Sequence, residues 1–371
     1  MTVAESTRLV DLVQDNIDSY LAARAPQLTA IAPELAPFVD FSRELLAGGK
    51  RFRALFCYWG WQAVAADDLF DDAPASDSFD AVILVSTALE VFHAAALVHD
   101  DIMDNSDTRR GMPAAHRRFE RLHRESNWLG SAPAFGESSA LLLGDLLLSW
   151  SDEIFADGLS KLSDLQARIA ARSEFNLMRT EVTVGQYLDI LEENAWARQT
   201  EADLLPRANR VIVYKSAKYS VEAPLAIGAS LGGGTLAQLT ALRDFGLPLG
   251  VAFQLRDDVL GVFGDPELTG KPSGDDLREG KRTVLIALAR ERLPANARRL
   301  LDELLGDPDL TDSQVALLQN TITESGALDA LEAIIEDNTR RALAAISEAP
   351  ISRSARAQLT ALADTVIRRT A

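Results

Sequence analysis

Nearly every apolar stretch of this chain repeats at three- and four-residue steps, which confines it to helices. Leu9, Leu12, Val13, Ile17, Tyr20 and Leu21 form one such stripe, and Leu141, Leu142, Leu146, Leu147 and Trp150 form another. No run alternates with the two-residue period of a half-buried strand. Gly48-Gly49, Gly111-Met112-Pro113, the Gly130 to Gly136 segment, Gly232-Gly233-Gly234 and Gly264-Asp265-Pro266 interrupt the pattern at intervals suited to an all-α bundle. With 371 residues, 47% of them hydrophobic, the chain can bury one large core, and a single helical domain over 1–371 is expected. Ser126 to Ser138, with its glycines and Pro133, reads as the clearest extended loop.

The longest apolar run, Ala81 to Val98, carries Glu90 and His93 and leads straight into Asp100 and Asp101. A bilayer core resists those charges, so the run reads as a buried central helix, and no integral membrane segment is expected. Cys57 is the single cysteine, which leaves no disulfide framework, and Met1-Thr2-Val3-Ala4-Glu5 lacks the basic and apolar regions of a signal peptide. A cytoplasmic protein is expected. The formal net charge of −18 argues against a nucleic-acid partner, because phosphate-backbone binding needs a basic surface. An anionic ligand must then be captured by a local basic patch.

Two acidic clusters stand in apolar helical contexts. The first is His99-Asp100-Asp101-Ile102-Met103-Asp104, followed by Asp107, Arg109 and Arg110; the second is Phe253-Gln254-Leu255-Arg256-Asp257-Asp258. Carboxylates are seldom buried unpaired, so such clusters imply a cation held among them. On a helix Asp100 and Asp104 share a face with Asp101 beside them. Mg²⁺ suits this donor set, since it prefers oxygen, keeps several waters and is commonly completed by substrate phosphates. The plain alternative is surface acids paired with Arg109, Arg110 and Arg256. In Gly48-Gly49-Lys50-Arg51-Phe52-Arg53, Lys50 and Arg53 could reach one anion as a helix begins, or simply be exposed charges at a helix start. Lys215, Lys271 and Lys281 are ordinary alone, but a basic lining in an acidic protein points to an anionic substrate.

From about Phe41 to Thr283 the chain resembles the trans-isoprenyl diphosphate synthases, or polyprenyl synthetases. Asp100-Asp101-Ile102-Met103-Asp104 with Arg109-Arg110-Gly111 is similar to their first aspartate-rich motif, and Phe253 to Asp258 to the second. Gly48 to Arg53 resembles the homoallylic-diphosphate motif, Gly185-Gln186-Tyr187-Leu188-Asp189 the Gly-Gln-x-x-Asp segment, and Lys215-Ser216 a Lys-Thr pair. Gly270-Lys271-Pro272 and Asp276 to Lys281 follow in order.

The resemblance implies an all-α bundle with a central cavity, a homodimer, and head-to-tail condensation of isopentenyl diphosphate with an allylic diphosphate. It implies three Mg²⁺ ions held by Asp100, Asp104 and Asp257, with Asp101 and Asp258 as further ligands or supporting acceptors. Arg109, Lys215 and Lys271 would then contact the allylic diphosphate, and Lys50, Arg53, His93 and Arg110 isopentenyl diphosphate. Gln186, Asp189, Ser216, Gln254 and Lys281 would line and orient the substrates. His93 is promoted only by standing seven residues before Asp100, for a lone histidine on an apolar helix is more often core. His99 reads as structural, and His116 is assigned no chemistry.

Departures from the family pattern are specific. The place of the second motif's usual third aspartate holds Gly261, the usual threonine is Ser216, and a usual proline is Ala54. Product length is expected to depend on what lies below the first motif. Ala95 and Ala96 are small, and Phe92, about 12 Å down the axis from Asp100, could floor the cavity or be ordinary core. A C20 product, geranylgeranyl diphosphate, follows from that floor; farnesyl and longer-chain products remain alternatives. Gly261 alone supports a catalytically silent partner subunit, while a terpene cyclase would lack Lys50 with Arg53, and a head-to-head synthase would space its acids differently.

Overall fold

The computed structural model describes residues 3–64, 77–109, 111–265 and 273–367. Its contacts fall into two compact units, Met1–Ala170 with Gly228–Gly233, and Ala171–Ile227 with Gly234–Ala371. The all-α expectation holds: helices make up each unit.

In the first unit the order is α1 (Val3–Ile31), α2 (Ala36–Leu45), α3 (Phe52–Val64), α4 (Asp77–Met103), α5 (Ala115–Glu125) and α6 (Ala132–Ser160). The apolar run forms α4, against which α1, α3, α5 and α6 all pack. Val82, Val85 and Leu89 have no exposure at all. Each such side chain contributes roughly 1.5–3 kcal/mol by leaving water. This helix is long and apolar enough to cross a bilayer, but 78% of its most apolar window is buried inside the protein.

Two features differ from the sequence reading. A two-residue ladder, β1 (Thr108–Arg109) against β2 (Met112–Pro113), closes around Gly111, whose φ of 73° suits a residue without a side chain. The expected Ser126 to Ser138 loop is only half loop, because α6 starts at Ala132. Ser131 caps it by accepting from the Ala134 N–H, and Pro133 sits in its first turn. Gly136 is not a turn residue there; a β-carbon on it would lie 2.4 Å from the His116 carbonyl, so it permits α6 to approach α5.

The second unit takes in most of α7 (Leu165–Ala195), then α8 (Glu201–Val211) and a π-helical stretch, Ile212–Glu222, that continues into α9 (Ala223–Leu231), of which the residues through Ile227 belong to this unit. After it come α10 (Leu236–Phe263), α11 (Asp275–Glu279), α12 (Val284–Arg292), α13 (Ala295–Leu304), α14 (Asp312–Glu324), α15 (Ala327–Ser347) and α16 (Arg353–Ile367). Thr235 and Thr311 begin α10 and α14 with reciprocal capping boxes to Gln238 and Gln314. Ala252, Leu255, Leu277, Val284, Leu318 and Leu331 share one fully buried core, which is where the amphipathic helices beyond Thr283 pack.

Candidate active site

In the first unit the acidic cluster ends α4. The helix stops at Met103, yet the Asp104 N–H still donates to the Asp100 carbonyl at 2.8 Å, so the two acids keep one-turn spacing. Carboxylates at a helix C-terminus face the negative end of its dipole and need a cation. One is supplied by the β1–β2 turn, which folds Arg109 back: its Nε donates to Asp101 at 2.9 Å, and its terminal nitrogen bonds Asp101 and reaches Asp100 at 3.4 Å. Asp101 is 1% exposed and therefore belongs to a buried ion pair, while Asp100 and Asp104 are half-buried. Arg110 lies outside the described residues.

The basic segment is built on a partner that the sequence reading passed over. Between exposed Lys50 and half-buried Arg53, Arg51 turns inward with φ 50°. It donates to Gln14 at 2.6 Å, bonds the Leu46 carbonyl and pairs with Glu90 on α4 at 3.4 Å. The other Glu90 oxygen accepts the Ala54 N–H in the first turn of α3 at 3.1 Å. Glu90 thus anchors the loop and helix start that carry Lys50 and Arg53; a lone acid in the middle of an apolar run was the available signal. His93 is half-buried one turn beyond Glu90 on α4, Phe92 and Ala95 are buried, and Ala96 is partly exposed. His99 contacts the Leu141 carbonyl at 3.3 Å and Asp145 at 3.5 Å, a packing role against α6.

In the second unit Lys215 and Ser216 sit on the π-helical stretch, a form in which hydrogen bonds reach five residues back and which concentrates at functional sites. Glycines hold it from two sides. A β-carbon at Gly185 of α7 would come within 2.4 Å of the Lys215 backbone nitrogen, and one at Gly250 of α10 within 2.5 Å of the Ala217 carbonyl oxygen. So seated, Lys215 bonds Asp189, which Lys281 also approaches at 3.8 Å while reaching Glu193 at 3.4 Å. Gln186, half-buried, stands three residues before Asp189 on α7. The Ser216 hydroxyl donates to the Gln254 amide oxygen, and the Gln254 amide nitrogen donates to Asp258 at 2.9 Å.

Asp189, Lys215, Ser216, Gln254, Asp258 and Lys281 line one cleft of about 130 Å³, which Asp276 joins from α11. Asp257 is half-buried beside Asp258 on α10. Arg256 faces elsewhere, in a bidentate pair with Glu332 at 2.6 and 2.7 Å, so it does not neutralise these acids. Asp258 is 5% exposed, and its second oxygen has no partner among the described residues. Burial pushes its carboxyl well above the ordinary carboxylate range; the charges of Asp276, Asp257 and Asp189 add to the rise, and the Gln254 hydrogen bond opposes it. Lys271 lies outside the described residues.

This donor set fits Mg²⁺. All of its acceptors are hard oxygens, and a buried carboxylate oxygen without a proton donor asks for a cation. Among the described residues no three acidic, histidine or cysteine side chains form a ready-made cage, and an ion that completes its shell with water and phosphate does not require one.

The model of the polyprenyl synthetase family matches residues 37–322. A short chain isoprenyl diphosphate synthase of Methanothermobacter thermautotrophicus is 31% identical over 326 residues, 88% of each chain. A geranylfarnesyl diphosphate synthase of Aeropyrum pernix is 30% identical over 324 residues, 87% of this chain and 91% of that one. Among solved structures, a geranylgeranyl pyrophosphate synthase of Corynebacterium glutamicum, complexed with isoprenyl diphosphate and magnesium, superimposes with a TM-score of 0.89 at 36% identity, covering 98% of this chain and 99% of that one.

Proposed function

As the chain belongs to the polyprenyl synthetase family, we propose that it joins isopentenyl diphosphate head to tail to a dimethylallyl, geranyl or farnesyl diphosphate and makes geranylgeranyl diphosphate. The observation that carries this reading is the likeness, over almost the whole chain, to a geranylgeranyl pyrophosphate synthase solved with isoprenyl diphosphate and magnesium.

Asp100, Asp104 and Asp257, assisted by Asp101 and Asp258, are the residues that would hold Mg²⁺, three ions in this reading. When bound, Mg²⁺ neutralises the charge that grows on the departing diphosphate. Arg109, Lys215 and Lys271 share the grip on that diphosphate; Arg109 gives up part of its hold on Asp101 and Asp100 to do so. Lys50, Arg53, His93 and Arg110 bind isopentenyl diphosphate and aim its alkene at the allylic carbon. Asp189 keeps Lys215 and Lys281 poised, and the Ser216–Gln254–Asp258 relay fixes the amide that faces the cleft. No protein nucleophile is needed: the leaving diphosphate removes the proton in the final elimination.

Phe92 sets the chain length in this reading, supported by its burial below the small Ala95 and Ala96. The geranylfarnesyl synthase relative favours a longer product as the second reading. A cytoplasmic homodimer formed from a single domain over 1–371 completes the picture. Its support is the family match across residues of both units and the apolar side chains that α6 and α7 leave at the surface, Leu141, Leu142, Leu177 and Val184, 47–58% exposed. The test is incubation with isopentenyl diphosphate and each allylic primer, with Mg²⁺ or EDTA, followed by sizing of the dephosphorylated products. Metal-dependent C20 product is the expected result, with longer chains from Phe92→Ala; no elongation from a folded protein would favour a silent subunit or a cyclase.

A further inference from the structure

Arg51 stands between two of the cations proposed to hold isopentenyl diphosphate, yet it is withdrawn from solvent. Lys50 is exposed and Arg53 half-buried, whereas the Arg51 side chain is buried together with Glu90 of α4. The backbone there is also unusual. Gly48, Gly49 and Arg51 have φ of 66°, 94° and 50°, and the left-handed region is costly for a residue that carries a side chain. Such a conformation persists only where the surroundings over-determine it.

Three separate pieces of the first unit do so. The guanidinium donates to the Gln14 amide oxygen on α1 at 2.6 Å, bonds the Leu46 carbonyl just past α2, and meets Glu90 on α4 at 3.4 Å. The Arg51 carbonyl accepts the Leu55 N–H at 2.9 Å, and Glu90 accepts the Ala54 N–H at 3.1 Å, so the first turn of α3 is tied to the same pair. Ser86, one turn before Glu90, donates to the Ala54 carbonyl at 3.4 Å. Glu90 and Asp100 lie on one continuous helix, about 15 Å apart along its axis. The loop is therefore indexed to the helix whose end carries Asp100 and Asp104. Gln14 lies ahead of residues 37–322, the span that the family model matches.

We infer that Arg51 is a positioning residue for isopentenyl diphosphate and that Gln14 and Glu90 act through it: held on α1 and α4, it fixes the loop that presents Lys50 and Arg53 relative to the acidic end of α4. The first helix is then part of the substrate apparatus as well as of the packing. This rests on the proposed prenyl-transfer reading and deepens it.

The test is steady-state kinetics of the full chain with Mg²⁺, varying isopentenyl diphosphate at a saturating concentration of the most reactive allylic primer, and then the reverse. Gln14→Leu takes one acceptor from a charged donor and should raise the KM for isopentenyl diphosphate roughly tenfold, with kcat and the KM for the primer changed far less. Gln14→Glu keeps an acceptor oxygen and should return the KM toward the wild-type value. Arg51→Lys, a point charge that cannot serve three acceptors at once, should raise it further; if that variant does not fold, the two Gln14 variants decide. A purely structural role would lower the melting temperature and leave the ratio of the two KM values unchanged. That result, or a wild-type KM for isopentenyl diphosphate in folded Gln14→Leu, would overturn the positioning role and leave the prenyl-transfer reading standing. A wild-type protein that elongates no primer would overturn both.

Discussion

Both acidic clusters stand toward the end of a long helix, and the buried carboxylate in each is held differently. At the end of α4, Asp101 is buried against Arg109, so the first cluster carries its own cation. Near the end of α10, Asp258 is also buried, but Arg256 pairs with Glu332, and one Asp258 oxygen has no partner among the described residues. Sequence spacing makes the two look alike. Their buried acids differ: Asp101 is ion-paired, while Asp258 keeps one buried oxygen with no partner among the described residues.

The largest effect that tests this contrast is on turnover. Asp257→Ala should cost about a hundred- to a thousand-fold in rate while leaving the metal-free fold intact; a rate near wild type would remove the second cluster from the metal assignment. Stability should then separate the two buried acids. Asp101→Asn breaks a buried ion pair and should lower the unfolding free energy by about 3–5 kcal/mol in urea titrations. Asp258→Asn removes the cost of desolvating a buried carboxylate and should raise it in the metal-free protein, by about 1 kcal/mol or more. Loss of stability in the second variant, or none in the first, would erase the difference.

The smallest effect is in pH. His116 on α5 is 2% exposed, has no partner on either ring nitrogen among the described residues, and burial lowers its pKa. The fold therefore prefers the neutral ring. Its contribution is complete above the unfolded value of about 6.5 and is lost as pH falls toward the depressed folded value. For Asp258, raised by burial, the sign is reversed: its contribution is complete in acid and is lost as pH climbs through the raised value. Melting curves against pH should show His116→Leu losing the acid-side decline and Asp258→Asn losing the decline toward neutrality.

What the sequence disclosed follows from locality. Helical period made α4 and α10 legible, and the one-turn spacing of Asp100 and Asp104 survived intact. Contacts distant along the chain left weaker traces. Glu90 was visible as an acid in apolar surroundings, but its partner Arg51 lies 39 residues earlier and was masked by the more familiar Lys50 and Arg53. That Asp276 lies against Gly261 was not legible, because it arrives 15 residues later in the chain, from a turn with no period of its own. The Ser126 to Ser138 segment misled for a related reason: Gly136 serves close helix packing, and glycine composition does not distinguish that from a turn.

The π-helical stretch has a consequence for how this protein can change. Its looser winding keeps Lys215 turned toward Asp189 while the backbone on either side lies against Gly185 and Gly250. Removal of one residue between Ile212 and Glu222 would let the segment relax to ordinary α pitch, and the lysine would swing away although no functional side chain had been replaced. The count of residues in this segment is as much a component of the site as the ammonium group it delivers.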